Sequence, residues 1–152
     1  MSNSYSQLDI HLVFAAKYRS ALIPSEHKGD IHKYITGIVA NCECKVIAIN
    51  SMPDHLHLFV SMHPKIAVSD LIRIVKSNST TYIKENGLSP GFAWQEGYGV
   101  FAHSFSQRGQ VIGYIRNQEE HHRRETFKDE YLHFLQANEI EFDERYIFHE
   151  PQ

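Results

Sequence analysis

Near the start of the chain, Leu8, Ile10, Leu12 and Phe14 interleave with Asp9, His11 and Val13. A period of two is the pattern of a strand with one buried face. After Ser25 the period lengthens, and Ile31, Tyr34, Ile35, Ile38 and Val39 fall at i, i+3, i+4, i+7 and i+8, the stripe of an amphipathic helix. Val46 to Ile49 predict a second strand. Asn50-Ser51-Met52-Pro53 reads as a turn into a third strand over about Asp54 to Met62, so that the two form a hairpin. Beyond Pro64, Ser69 can cap a second helix, with Val68, Leu71, Ile72, Val75, Tyr82 and Ile83 as its apolar stripe and Asn86-Gly87 as its end. Tyr98 to Phe105 is aromatic and β-branched enough for a fourth strand. Ser106 then opens a helix to about Arg124, and Thr126-Phe127-Lys128-Asp129 suits the cap of a last helix through Leu135.

The order β-α-β-β-α-β followed by two helices predicts an α+β fold. The expected form is a ferredoxin-like, RRM-like antiparallel sheet with two helices on one face and the C-terminal helices added. A chain of 152 residues can bury one core, and no linker or repeat divides it, so a single domain over 1–152 is expected.

Charge and composition narrow the function. The net charge of −3 is not the basic footprint of a protein held to nucleic acid mainly through phosphates. A tail from about 139 carries five acids against Arg145, and residues 1–138 carry 14 Lys/Arg against 13 Asp/Glu. Any nucleic-acid surface is therefore local; Lys17, Arg19, Arg73 and Lys76 are candidates for phosphate contacts, with Lys84, Arg116, Arg123 and Arg124 beside them. Phe92, Trp94 and Tyr98 could stack on bases or pack in the core. No apolar run approaches the roughly 18 residues of a membrane span, and the first residues lack the blocks of a signal peptide; a cytoplasmic protein is expected. Cys42 and Cys44 are too few and too close for a disulfide framework, and read as reduced thiols.

The candidate chemistry lies in Pro53-Asp54-His55-Leu56-His57-Leu58-Phe59. On a strand, His55 and His57 share one face while Leu56, Leu58 and Val60 pack behind them, which presents two imidazoles side by side to a divalent metal. Some sixty residues on, Tyr114 and Gln118 are four apart on the predicted helix and so are neighbours on its surface. The Gln118 oxygen is a fair third ligand for a hard cation, and the phenol would lie beside any phosphate on that cation. Such a set suits phosphoryl transfer through a tyrosine, in which the linkage energy is kept in a covalent phosphotyrosine and the strand can be rejoined. His11 falls on the strand face opposite Ile10 and Leu12, and whether it joins the histidine pair depends on strand order. His121 and His122, three and four residues past Gln118, read more simply as a helix end favouring the negative C-terminal dipole.

The same residues give the chain a resemblance to a known family. His11-Leu12-Val13-Phe14 with Lys17-Tyr18-Arg19, then Met52-Pro53-Asp54-His55-Leu56-His57, Trp94-Gln95-Glu96-Gly97-Tyr98-Gly99, and Tyr114-Ile115-Arg116-Asn117-Gln118-Glu119-Glu120-His121-His122 occur in the order found in the single-tyrosine HUH transposases of the insertion-sequence 200/605 type. The resemblance implies a metal-dependent enzyme that cleaves and rejoins single-stranded DNA at hairpins near element ends, using Mg²⁺ or Mn²⁺ and leaving a 5′-phosphotyrosine and a free 3′-OH. It implies His55 and His57 as metal ligands, Gln118 as the third ligand and Tyr114 as nucleophile. It also implies a homodimer in which the tyrosine helix can complete the partner's site. The competing readings are a non-catalytic single-strand-binding module, an inactive or domesticated copy, and a metal phosphoesterase working through water.

Overall fold

The computed structural model describes residues 4–148 and 150–152. Its strands are β1 (Asp9–Ala15), β2 (Lys45–Met52), β3 (His55–Ser61) and β4 (Gly99–His103). Its helices are α1 (Lys28–Asn41), α2 (Val68–Glu85), α3 (Arg108–Arg116), α4 (Gln118–His121) and α5 (Phe127–Ala137). The strands form one antiparallel sheet in the order β2-β3-β1-β4, the ferredoxin-like arrangement expected. Strand alternation divides its faces. Leu12, Phe14, Leu56, Leu58 and Val60 share a core cluster with Ile31 and Ile35 of α1 and Leu71, Ile72 and Val75 of α2. On the other face Phe59 and Ala48 meet Val111 and Ile115 of α3. Val13 stands opposite His57 and Ala15 opposite His55, which settles the open question of His11: it lies on the histidine face.

Three boundaries differ from expectation. The β2–β3 turn is Pro53-Asp54 alone, and Asn50 to Met52 continue the strand. Their polar side chains are used across elements instead: Asn50 Nδ2 donates to the Ile115 carbonyl at 2.9 Å, and the Ser51 hydroxyl bonds His32 Nε2 at 2.8 Å. Ala67, not Ser69, occupies the N-cap position of α2. The long helix expected from Ser106 begins after a capping box at Ser104 and is interrupted at Asn117 (φ −98°, ψ 24°). Asn50 also reaches the Arg116 carbonyl at 3.5 Å, so carbonyls that would continue the helix are engaged by β2.

At β4, Gly99 makes room for α5. A Cβ built on it would stand 2.7 Å from Cε1 and 3.0 Å from the hydroxyl of Tyr131. Phe127, Tyr131 and Phe148 stack in turn over this region, with ring centroids 4.7 to 6.0 Å apart. Gly99→Ala is expected to lower unfolding free energy by about 1–3 kcal/mol, as overpacking does, and a denaturant titration in which it matched the parent would show that α5 adjusts freely.

Burial, with a smaller contribution from the Lys28 charge, lowers the pKa of His32 from 6.5 to about 4. Between those values the unfolded chain takes up a proton that the native chain does not, so stability falls as pH drops. His32→Gln removes that group. From pH 7 to pH 5 the parent should lose more unfolding free energy than the variant, by up to about 1.4 kcal/mol per pH unit, in paired denaturant titrations with chelator present.

Candidate metal centre and tyrosine site

Because β3 alternates, His55 and His57 project from the sheet toward α3, α4 and α5, and both are fully buried. Each has a partner on its Nδ1. The Asp54 carboxylate lies 2.7 Å from that of His55, and His11 Nε2 lies 2.8 Å from that of His57. Their Nε2 atoms turn inward together. His55 Nε2 is 3.2 Å from Gln118 Oε1, and His57 Nε2 is 3.0 Å from Glu130 Oε1. The interruption at Asn117 lets α4 turn Gln118, fully buried, and His122 onto the same point, with His122 Nε2 at 3.0 Å from Gln118 Oε1 and 3.3 Å from Glu130 Oε2. The Tyr114 hydroxyl donates to Glu130 Oε2.

Four predicted residues, Tyr114, His55, His57 and Gln118, are thus brought together within one chain. Two others that complete the cluster were not assigned to it. His122 is the helix end that its local sequence predicts, and it also faces the cluster. Glu130, 2 % exposed, is not among the residues that the motifs single out. A signal for it exists in α5, where Phe127, Tyr131, Phe134 and Leu135 form an apolar stripe and Glu130 stands on that stripe, three residues after Phe127. A carboxylate in such a position needs buried donors.

The electrostatics follow from this packing. Burial alone would raise the Glu130 pKa, but hydrogen bonds from His122, His57 and Tyr114 hold the carboxyl well below its ordinary range. Burial, then the Glu130 charge, pushes the Tyr114 phenol well above its usual value, so the resting phenol keeps its proton. For His122 burial opposes protonation, while the Glu130 hydrogen bond and charge outweigh it and raise the pKa. His57 is lowered to about 4, chiefly by burial.

The donor chemistry fits a divalent cation. Ligand atoms of His55, His57, His122 and Glu130 all lie within 4.8 Å of one another, a spread that one cation can gather. The Gln118 oxygen adds a neutral hard donor beside two of those imidazoles. The basic candidates stand elsewhere. Lys76 donates to the Gln95 and Gly97 carbonyls at 2.9 and 2.6 Å, a clamp on that loop, and Arg73 is 3.8 Å from Asp70 on exposed α2. Arg19, 3.7 Å from Glu150, lines a cavity of about 620 Å³ that also includes His122, Arg123, Arg124 and Phe127. Lys17 packs near Tyr18, with its ammonium 5.5 Å from the ring centroid. Phe92 and Trp94 are core residues, and Trp94 Nε1 donates to the Ser79 hydroxyl at 3.1 Å.

Comparison with known proteins identifies the lineage. The family model described as "Transposase IS200 like" matches residues 4–118. The chain belongs to the IS200-like transposase family. Within it, the chain is 30% identical over 119 residues to the ISDra2 transposase TnpA of Deinococcus radiodurans, covering 74% of this chain and 84% of that one. Two solved structures share the fold. A Deinococcus radiodurans crystal structure assigned as a transposase superposes with TM-score 0.61 at 24% identity, covering 78% of this chain and 95% of that one. A REP-associated tyrosine transposase bound to a REP hairpin gives TM-score 0.59 at 13% identity, with 80% and 73% coverage. In this IS200-like chain the matched span ends at Gln118, so His122 and Glu130 lie beyond it.

If Glu130 completes the cation site, Glu130→Gln, which keeps shape and removes charge, should weaken Mn²⁺ binding at least tenfold in calorimetry while the far-ultraviolet circular dichroism is kept. Equal affinity would remove Glu130 from the ligand set.

Proposed function

We propose that this transposase cleaves and rejoins single-stranded DNA at insertion-sequence ends through a covalent 5′-phosphotyrosine on Tyr114. The observation that carries the reading is the placement of the Tyr114 phenol against the His55, His57, Gln118, His122 and Glu130 cluster of its own chain. The phenol oxygen would form a bond to the scissile phosphorus as the bond from phosphorus to the 3′ oxygen breaks, the phenol losing its proton and the departing oxygen taking one up as a free 3′-OH. A later attack by a 3′-OH on the phosphotyrosine reverses those exchanges and joins the strands.

A Mg²⁺ or Mn²⁺ ion held by His55, His57, Gln118 and the neighbouring His122 and Glu130 would supply Lewis-acid polarisation of the phosphodiester. The chain's own residues set the rest. Glu130 holds the resting phenol protonated by hydrogen bond and charge, so its charge must be offset before Tyr114 attacks. Arg19, Arg123 and Arg124 border the cavity that reaches His122 and are suited to the phosphates of a strand lying there. Hairpin recognition is part of the proposal, supported by the related fold that is bound to a REP hairpin.

We place the nucleophile in cis. Transfer of α3 to a partner would break the contacts of Val111 and Ile115 with Phe59 and Ala48 and remove Tyr114 from Glu130. A homodimer is then an assembly of two complete sites.

Incubation with labelled single-stranded DNA from the element ends plus Mn²⁺ should give a denaturation-resistant adduct with the parent. Tyr114→Phe should bind that DNA and give none, and His57→Ala or excess chelator should abolish cleavage. Cleavage by Tyr114→Phe would assign the attack to water and overturn the phosphotyrosine. Mixing Tyr114→Phe with His57→Ala should not restore adducts, whereas restoration would place the tyrosine in trans.

A further inference from the structure

We infer that His11 is a positioning residue for the cation site: its hydrogen bond to His57 Nδ1 supports the tautomer in which the His57 Nε2 lone pair is free for the cation. The inference rests on the metal-dependent reading above. His11 is not itself within the group of candidate ligands, and its Nε2 is spent on His57 Nδ1 at 2.8 Å.

The argument begins with the chemistry of a ligating imidazole. One nitrogen offers its lone pair to the cation, so the ring hydrogen must sit on the other. For His55 the choice is made by Asp54, whose carboxylate only accepts and so draws the hydrogen to Nδ1. Among the described residues His57 has no carboxylate on that side. Its Nδ1 faces an imidazole, which accepts or donates according to its own tautomer. Without a cation His57 Nε2 donates to the Glu130 carboxylate and His11 donates to Nδ1; with a cation on Nε2 the His57 hydrogen sits on Nδ1 and His11 accepts it. His11 can meet Nδ1 in both states, and by accepting it stabilises the one in which the second ligand of the pair is available.

The surroundings support a role beyond packing. His11 is 1 % exposed among Phe59, Phe101 and Phe134, with ring centroids 5.5 to 6.5 Å away, and the His103 imidazole stands beside it at 6.2 Å. An apolar side chain would fill that aromatic pocket without the cost of burying a polar ring. The polar ring instead meets the ligand from behind, stacked at a centroid distance of 5.0 Å, as outer partners of metal-bound histidines do.

The test compares His11→Leu with His11→Gln, whose amide oxygen can still accept from His57 Nδ1. Mn²⁺ binding is read by calorimetry on the full chain, with the thermal midpoint of the metal-free protein measured alongside. His11→Leu should bind Mn²⁺ 10- to 100-fold more weakly, on the scale of outer-partner losses, and His11→Gln should stay within about threefold of the parent. In the Mg²⁺-loaded parent, long-range ¹H–¹⁵N spectra should show the His57 hydrogen on Nδ1. Parental affinity in His11→Leu, an equal loss in both variants, or a hydrogen on Nε2 in the loaded parent would each overturn the inference. A parent that binds no Mn²⁺ would remove the metal reading itself, an outcome distinct from loss of His11 control. Should His11→Leu not fold, the His11→Gln affinity and the parent's spectrum still decide.

Discussion

A buried carboxylate must be met by donors from every side, and Glu130 is where this molecule meets that requirement. β3 brings His57, α3 brings Tyr114 and the segment after α4 brings His122. Breaking one of these contacts leaves charge in a place that water does not reach, which costs several kcal/mol in general. The elements on the histidine face are therefore held to one another through the site as well as through apolar packing. The same carboxylate keeps the Tyr114 phenol, the proposed nucleophile, protonated and stands among the donors a cation would use. Stability of this face and restraint of the chemistry are two effects of one group.

The opposite face is conventional in its physics. Leu12, Phe14, Leu56, Leu58 and Val60 pack on α1 and α2 without a polar demand. That face can hold the sheet rigid while the histidine face is built from polar contacts with strict geometry. Lys76 belongs to this supporting role, since its half-buried ammonium is fixed on the carbonyls of residues 95 and 97, and burial lowers its pKa to about 8. The acidic tail is likewise partly structural. Ile147 and Phe148 are buried, and the backbone of Gln152 pairs with Lys17 and Arg19. The tail's charge thus says less about DNA than its composition suggests.

What was legible in the sequence was what repeats along one element. The period of two put His55 and His57 on one face, and the four-residue step made Tyr114 and Gln118 neighbours; both arrangements appear in the structure. The less legible features depend on meetings between elements. Nothing local in Asn50 states that it will cap the end of α3, yet its bonds to Ile115 and Arg116 coincide with the interruption that turns Gln118 and His122 toward the site. A turn-forming residue type reads as a turn when its long-range partner is not visible in the sequence. His122 does end a helix, which is a sufficient local explanation for a histidine there, and its distance to Glu130 is a tertiary fact. Glu130 alone left a local trace, as an acid on an apolar stripe.

The two histidines of the pair are supported unequally, and that inequality is a consequence of strand pairing. Asp54 sits in the β2–β3 turn, adjacent in sequence to His55, so its support travels with the hairpin. His11 reaches His57 from the neighbouring strand, diagonal to it on the same face, because Val13 stands opposite His57 and His11 opposite Phe59. A one-residue slip of β1 against β3 would send His11 to the α1–α2 face and bring Leu12 or Ile10 to the histidines. The register that buries Leu12 and Phe14 is therefore the register that gives His57 its outer partner. In this sheet the hydrophobic pattern and the orientation of a candidate metal ligand are set by the same pairing, and neither can be altered without the other.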